Sequence, residues 1–124
     1  MPLTTELAAK MAARVNVPDG FLWGSTTAAG HVEGGLQDTN WKRWEARKSR
    51  PDGRSTIKND AICATACDMW NRTLTDDIPH MVRLGLTSYR FSIEWSRVMP
   101  SIDHIDEGAI NVYIEWCDAL NASN

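Results

Sequence analysis

The stretch Leu84-Gly85-Leu86-Thr87-Ser88-Tyr89-Arg90-Phe91-Ser92-Ile93-Glu94-Trp95-Ser96-Arg97 decides the fold class. Its first two residues close a helix: Met81, Val82 and Leu84 recur at helical spacing, Arg83 is basic in the last turn, and Gly85 follows. A strand starts almost at once, because Tyr89, Phe91 and Ile93 alternate with Ser88, Arg90 and Ser92. A helix feeding directly into such a strand is half of a parallel β/α unit. If the Tyr89, Phe91 and Ile93 face meets covering helices, Arg90 and Ser92 face the other way. There an arginine needs a carboxylate partner, in a structural ion pair or at a site.

Upstream, Phe21-Leu22-Trp23-Gly24-Ser25-Thr26-Thr27 reads as a second strand, followed by the small residues Ala28, Ala29 and Gly30. His31, Val32 and Glu33 follow its carboxyl end, before the break at Gly34 and Gly35. Ligands of parallel α/β proteins bind at that end, so His31 marks a candidate site edge, its alternative being a polar surface residue. Asp38 or Thr39 caps a short helix bearing Trp41 and Trp44, a pair whose spacing suits helix packing or a sugar platform. Pro51, Asp52 and Gly53 mark a turn in a polar loop.

A helix is expected from about residue 60 to 72, with a fresh start capped by Thr75 and made acidic by Asp76 and Asp77. Pro79 would break an uninterrupted helix, so a kink over residues 75–78 is predicted, ahead of an apolar stripe of Ile78, Met81, Val82 and Leu84. After Pro100, Asp106 or Glu107 opens a last helix with Ile110, Tyr113, Ile114, Cys117 and Leu120 on one stripe. At the other end, Thr4 or Thr5 caps a helix through about residue 14. The order helix, strand, helix, strand, helix makes the class α/β with two parallel strands, and such a pair leaves open edges and an uncovered face.

Composition narrows the function classes. The chain has 124 residues, 43 % of them hydrophobic and 23 % charged, which suits one soluble domain. A net charge of −3 provides no basic field for nucleic acid or an anionic membrane. No apolar run reaches the roughly 18 residues of a membrane span, and no signal-peptide pattern opens the chain, so a cytoplasmic location is expected. Cys63 and Cys67 would share a helix face, but with Cys117 they form no Cys-x-x-Cys pair; buried free thiols are expected rather than a metal site.

Three blocks, in order and in register, resemble glycoside hydrolase family 1, the β-glucosidase family of retaining enzymes. The first is Phe21 to Ala29 with Glu33 and Gly35 behind it. The second is Ala66-Cys67-Asp68 with Trp70, Arg72 and Asp76-Asp77-Ile78. The third is Leu84-Gly85 with Tyr89-Arg90-Phe91-Ser92-Ile93, Trp95-Ser96-Arg97 and Pro100. The resemblance covers about residues 20 to 120. It implies a (β/α)8 TIM barrel, a fold of typically about 250 residues, of which this chain would supply the first two β/α units and stop before the third strand. Residues 1–20 would be a lead-in and residues 21–124 the partial barrel.

The resemblance also implies hydrolysis of O-glycosyl bonds of a β-glycoside with no cofactor and no metal. Neither catalytic glutamate of the family has a counterpart here, so the chain by itself is predicted inactive. Glu33 and Glu94 are the only substitute pair considered, and neither matches a catalytic position. Arg90 matches the arginine that lies beside the family's nucleophile and keeps it ionised. His31 stands where the family has a glutamine gripping sugar hydroxyls, and Gly30 where it has an aromatic or similar residue; Met69, Asn71 and Thr73 also depart from its pattern. The candidate substrate-binding residues are therefore His31, Glu33 and Trp41, with Arg90 in support. Two other readings remain: a non-catalytic chain that associates with another through its open strand edges, and a small carbohydrate-binding module using Trp23, His31 and Trp41.

Overall fold

The computed structural model describes residues 17–36, 38–47, 50–55 and 57–123. The helix expected before residue 14 lies outside them. The two strands, β1 (Gly24–Thr26) and β2 (Ser88–Arg90), pair in parallel with Gly24 opposite Ser88, Ser25 opposite Tyr89 and Thr26 opposite Arg90. Both are shorter than the sequence pattern predicts. At the amino end Trp23 leaves the ladder, although its carbonyl still accepts from the Thr87 and Ser88 amides; at the other end the Thr27 amide donates to the Arg90 carbonyl. Among the described residues each strand has one neighbour, and none of them extends the ladder at the outer edges.

Between the strands run α1 (Ala29–Val32), α2 (Asn40–Glu45), a 3-10 turn (Lys58–Asp60), α3 (Met69–Arg72), a π-helical turn (Thr73–Asp77) and α4 (Ile78–Arg83). After β2 come α5 (Trp95–Val98) and α6 (Glu107–Ala122). Thr39 caps α2 by accepting from the Lys42 amide, and Asp106 caps α6 by accepting from the Ala109 amide. The predicted kink before Pro79 is the π turn, in which the Ile78 amide donates to Thr73, five residues back. The wider turn accommodates a ring that an α turn would force against the preceding carbonyls. Gly85 ends α4 as read: at φ +69° it lets the Leu86 amide reach the Met81 carbonyl.

Two expectations are corrected. Residues 61–68 are not helical, and Ala66 and Asp68 take positive φ. Their backbone instead serves the loop after α1: the Gly35 amide donates to Ala64, the Cys67 amide to Val32, and the Trp70 amide to Glu33. Tertiary hydrogen bonds override the helical propensity of an alanine-containing run. Consequently Cys63 and Cys67 share no helix face, and the thiols are not buried: Cys63 is half-buried, and Cys67 and Cys117 are exposed.

The second correction concerns α6, whose buried face is Ala109, Tyr113 and Trp116. Ile114 is 50 % exposed, and Cys117 is exposed. Trp116, only 2 % exposed, sets this rotation by meeting Trp70, Phe91 and Tyr113 edge-on at ring distances of 5.7, 5.7 and 5.2 Å. On α4, Ile78 is buried as expected, whereas Val82 and Leu84 are exposed. Phe91 stacks on Tyr113, so the covering helix of the β2 face is α6. The rest of the sheet surroundings stays open: Phe21, Leu22, Trp23, Ile93 and Trp95 are all exposed.

Candidate functional site

The carboxyl ends of β1 and β2 lie side by side, and the chain turns from them into two loops. The first carries His31 on α1 and Glu33 directly after it; the second carries Glu94, the N-cap of α5, and Arg97 within it. Glu33 is 2 % exposed, and both of its oxygens are taken. Oε2 accepts from Nε of Arg97 at 2.8 Å, and Oε1 accepts from the Tyr113 hydroxyl at 2.9 Å. The same hydroxyl accepts from the Glu94 amide at 3.0 Å. One oxygen atom on α6 therefore bonds to both loops at once.

Arg97 is held on several sides. Its guanidinium also donates to the Gly34 carbonyl and lies 4.0 Å from the centre of the Trp70 ring. Gly34 sits at φ +74°, and a Cβ there would collide with the backbone of Thr65. Only glycine lets the loop pass under residues 61–68 with its carbonyl turned to Arg97.

Electrostatics follow from this burial. Desolvation raises the pKa of the Glu33 carboxyl, against the opposing pull of the Tyr113 and Arg97 hydrogen bonds and the Arg97 charge. Burial also pushes the Tyr113 hydroxyl well above the ordinary phenol range, with the Glu33 charge adding to it. Tyr89, hydrogen-bonded to Thr27, is raised mainly by burial too. These are the two tyrosines of the chain. Unfolded, both ionise near pH 10; folded, they keep their protons higher. The folded state then binds more protons than the unfolded one, so stability is full below about pH 10 and falls as pH rises towards the folded values. Tyrosinate absorbance is expected to appear at higher pH in the native chain than in urea, and Tyr113→Phe to flatten the alkaline loss of stability.

The expected site residues fall into three places. His31 is exposed at the β1 end. Arg90 is exposed at the β2 end, where it reaches the neutral hydroxyl of Thr26 at 3.4 Å. Neither Glu33 nor Glu94 pairs with it, since Glu33 is bonded to Arg97 and Glu94 accepts from the Ser96 amide and hydroxyl. Trp41 stands apart on α2, 49 % exposed and packed on Trp44 at 4.8 Å, where it lines a groove with Leu36, Glu45, Ile62 and Cys63. The roles of Arg97, Tyr113 and Trp70 at the site were not read from sequence. A buried tyrosine on a helix stripe is the signal that existed, since its hydroxyl requires a partner. Among the described residues no group of His, Cys, Asp or Glu is placed to hold a metal ion, and no helix is long and apolar enough to cross a membrane.

The sequence model described as "Glycosyl hydrolase family 1" matches residues 13–124. The chain is 32 % identical over 111 residues to human lactase/phlorizin hydrolase, covering 86 % of this chain and 6 % of that protein. It is 34 % identical over 106 residues to β-glucosidase A of Thermotoga maritima, covering 83 % of this chain and 23 % of the other. A solved family 1 β-glucosidase from Thermotoga maritima superposes with a TM-score of 0.75 at 30 % identity, over 86 % of this chain and 24 % of that one. A psychrophilic β-glucosidase from Micrococcus antarcticus gives 0.76 at 31 %, over 86 % and 22 %. The chain thus spans no more than about a quarter of the length of these relatives. Its fold is that of two β/α units of their TIM barrel, as the three sequence blocks implied.

Proposed function

Because the chain belongs to glycosyl hydrolase family 1, we propose that it supplies one wall of the sugar site of a retaining β-glucosidase, with the chemistry completed by other strands of a full barrel. The observation that carries this reading is the exposed Arg90 at the end of β2, beside the His31 loop of β1 and bonded to a neutral hydroxyl. A guanidinium in that position suits a carboxylate arriving from elsewhere in a barrel, which it would keep ionised. His31 would offer its ring nitrogens to sugar hydroxyls, Trp41 an apolar face to the substrate, and Glu33 would contribute through its loop. We further propose a cytoplasmic location, which three free thiols suit.

Retaining hydrolysis needs two carboxyl groups about 5 to 5.5 Å apart across the glycosidic bond, one as nucleophile and one as acid/base. Glu33 is tied by both oxygens and Glu94 is occupied as a helix cap, so neither is free for such work. The expected result is that the purified chain releases no phenol from an aryl β-glucoside. Turnover that copurifies with the chain and vanishes in Glu33→Gln or Glu94→Gln overturns this reading.

A second reading, association with another chain, is favoured by the exposed Phe21, Leu22 and Trp23 beside the open edge of β1. Sedimentation of the purified chain separates the two, a monomer at all concentrations excluding self-assembly.

A further inference from the structure

We propose that Arg97 and Tyr113 are positioning residues: through the two oxygens of Glu33 they fix the His31 loop against the loop that follows β2, so that sugar binding at His31 depends on side chains that touch no sugar. The proposal deepens the sugar-site reading and rests on it only for the role of His31.

The geometry carries it in three steps. Glu33 lies two residues after His31 and immediately after α1, a helix of only four residues that has little stability of its own. Its position must then come from outside, and the Glu33 carboxylate is its charged tether, at 2.8 Å from Arg97 and 2.9 Å from Tyr113. Arg97 belongs to the β2 loop and Tyr113 to α6, so the two bonds join elements 64 and 80 residues away in sequence. The Tyr113 hydroxyl then turns the pair into a three-way joint. It donates to Glu33 and accepts from the Glu94 amide, which locks the distance between the two loops.

The planar guanidinium matters as much as its charge. Nε serves Glu33, a terminal nitrogen serves Gly34, and the flat face rests over Trp70. A lysine keeps the charge but has one donor group and no flat face, so it cannot hold Glu33, Gly34 and Trp70 together. Tyr113→Phe removes one oxygen atom and leaves the ring contacts with Trp70, Phe91 and Trp116 in place.

The experiment uses the isotope-labelled full chain and no sugar. Amide resonances of residues 28–35 and the His31 ring resonances are followed in Tyr113→Phe, Arg97→Lys and Ile78→Val, the last a core change on α4 as a control for lost stability. All are compared at urea concentrations that give equal folded fractions. Tyr113→Phe and Arg97→Lys are expected to shift or broaden the His31 loop, and Ile78→Val to leave it as in the parent. If Arg97→Lys does not fold, Tyr113→Phe decides. An unchanged His31 loop in Tyr113→Phe overturns the proposal, as does an equal response to Ile78→Val, or a Tyr113→Phe chain that does not fold while Ile78→Val does. Since no glycoside enters the measurement, failure here leaves the sugar-site reading standing, and an absent sugar site leaves the loop coupling standing.

Discussion

Arg97→Ala is expected to destabilise the chain by about 3 to 5 kcal/mol, whereas Arg90→Ala changes its stability by no more than about 1 kcal/mol. The two arginines sit seven residues apart and differ in surroundings. The Arg97 side chain is 10 % exposed and its partner Glu33 is 2 % exposed, so truncation strands a carboxylate away from water. The Gly34 carbonyl loses a donor and Trp70 loses its cation in the same step. Arg90, in contrast, is exposed and holds a long contact to a neutral hydroxyl. Urea unfolding of both variants, with amplitude and slope compared to the parent, measures the difference. Equal losses would mean that Arg90 has a buried acidic partner in solution.

Trp116→Ala is expected to cost a similar amount, about 3 to 5 kcal/mol, the range for removing a fully buried large aromatic. Among the described residues Trp116 is the most buried of the large apolar side chains, and the Trp70, Phe91 and Tyr113 rings all abut it. Its loss opens a void where α3, β2 and α6 meet. Ile114→Ala, on the same helix but half-exposed, serves as the comparison and is expected to cost much less. Thermal unfolding followed by circular dichroism ranks the two. A loss at Ile114 equal to that at Trp116 would restore the helix orientation that the apolar spacing first implied.

That orientation illustrates what could be read in advance and what could not. The glycine stop at residue 85 and the trouble at Pro79 are local signals that each correspond to a feature of the fold, and the period of two marks a strand at Tyr89 but overruns it, since β2 ends at Arg90 and Ile93 is exposed. On α6 the aliphatic spacing through Ile110, Ile114 and Cys117 competes with the equally regular stripe Ala109, Tyr113, Trp116, and the larger indole ring decides which face is buried. Residues 61–68 failed for a different reason: their hydrogen-bond partners lie about 30 residues upstream, in the loop over residues 32–35, and propensity has no access to such distant competition. Near the strand ends, the positions of Arg90 within β2 and His31 shortly after β1 agree with the strand pattern. The pairing of Glu33 with Arg97 was not, because a period-two strand pattern directs attention to Arg90, and Arg97 lies beyond the strand on a helix of four residues.

The register of β1 against β2 has a kinetic consequence. Gly24, Ser25 and Thr26 each face a residue 64 positions later, and the Tyr113 to Glu33 bond spans 80. Closing a flexible loop of that size costs about 4 kcal/mol of chain entropy before its first bond is rewarded, on the logarithmic law for loop closure. The contiguous helical run from α3 through α4 has no such delay, since its bonds are local. Order along the folding path therefore follows contact distance: the helical run first, α6 upon it next, and the strand pair with its charged joint last. The newest-formed part of the molecule is then also the part that carries the loops of His31 and Arg97, and the exposed apolar residues around β1 remain longest in a state where a neighbouring chain can capture them.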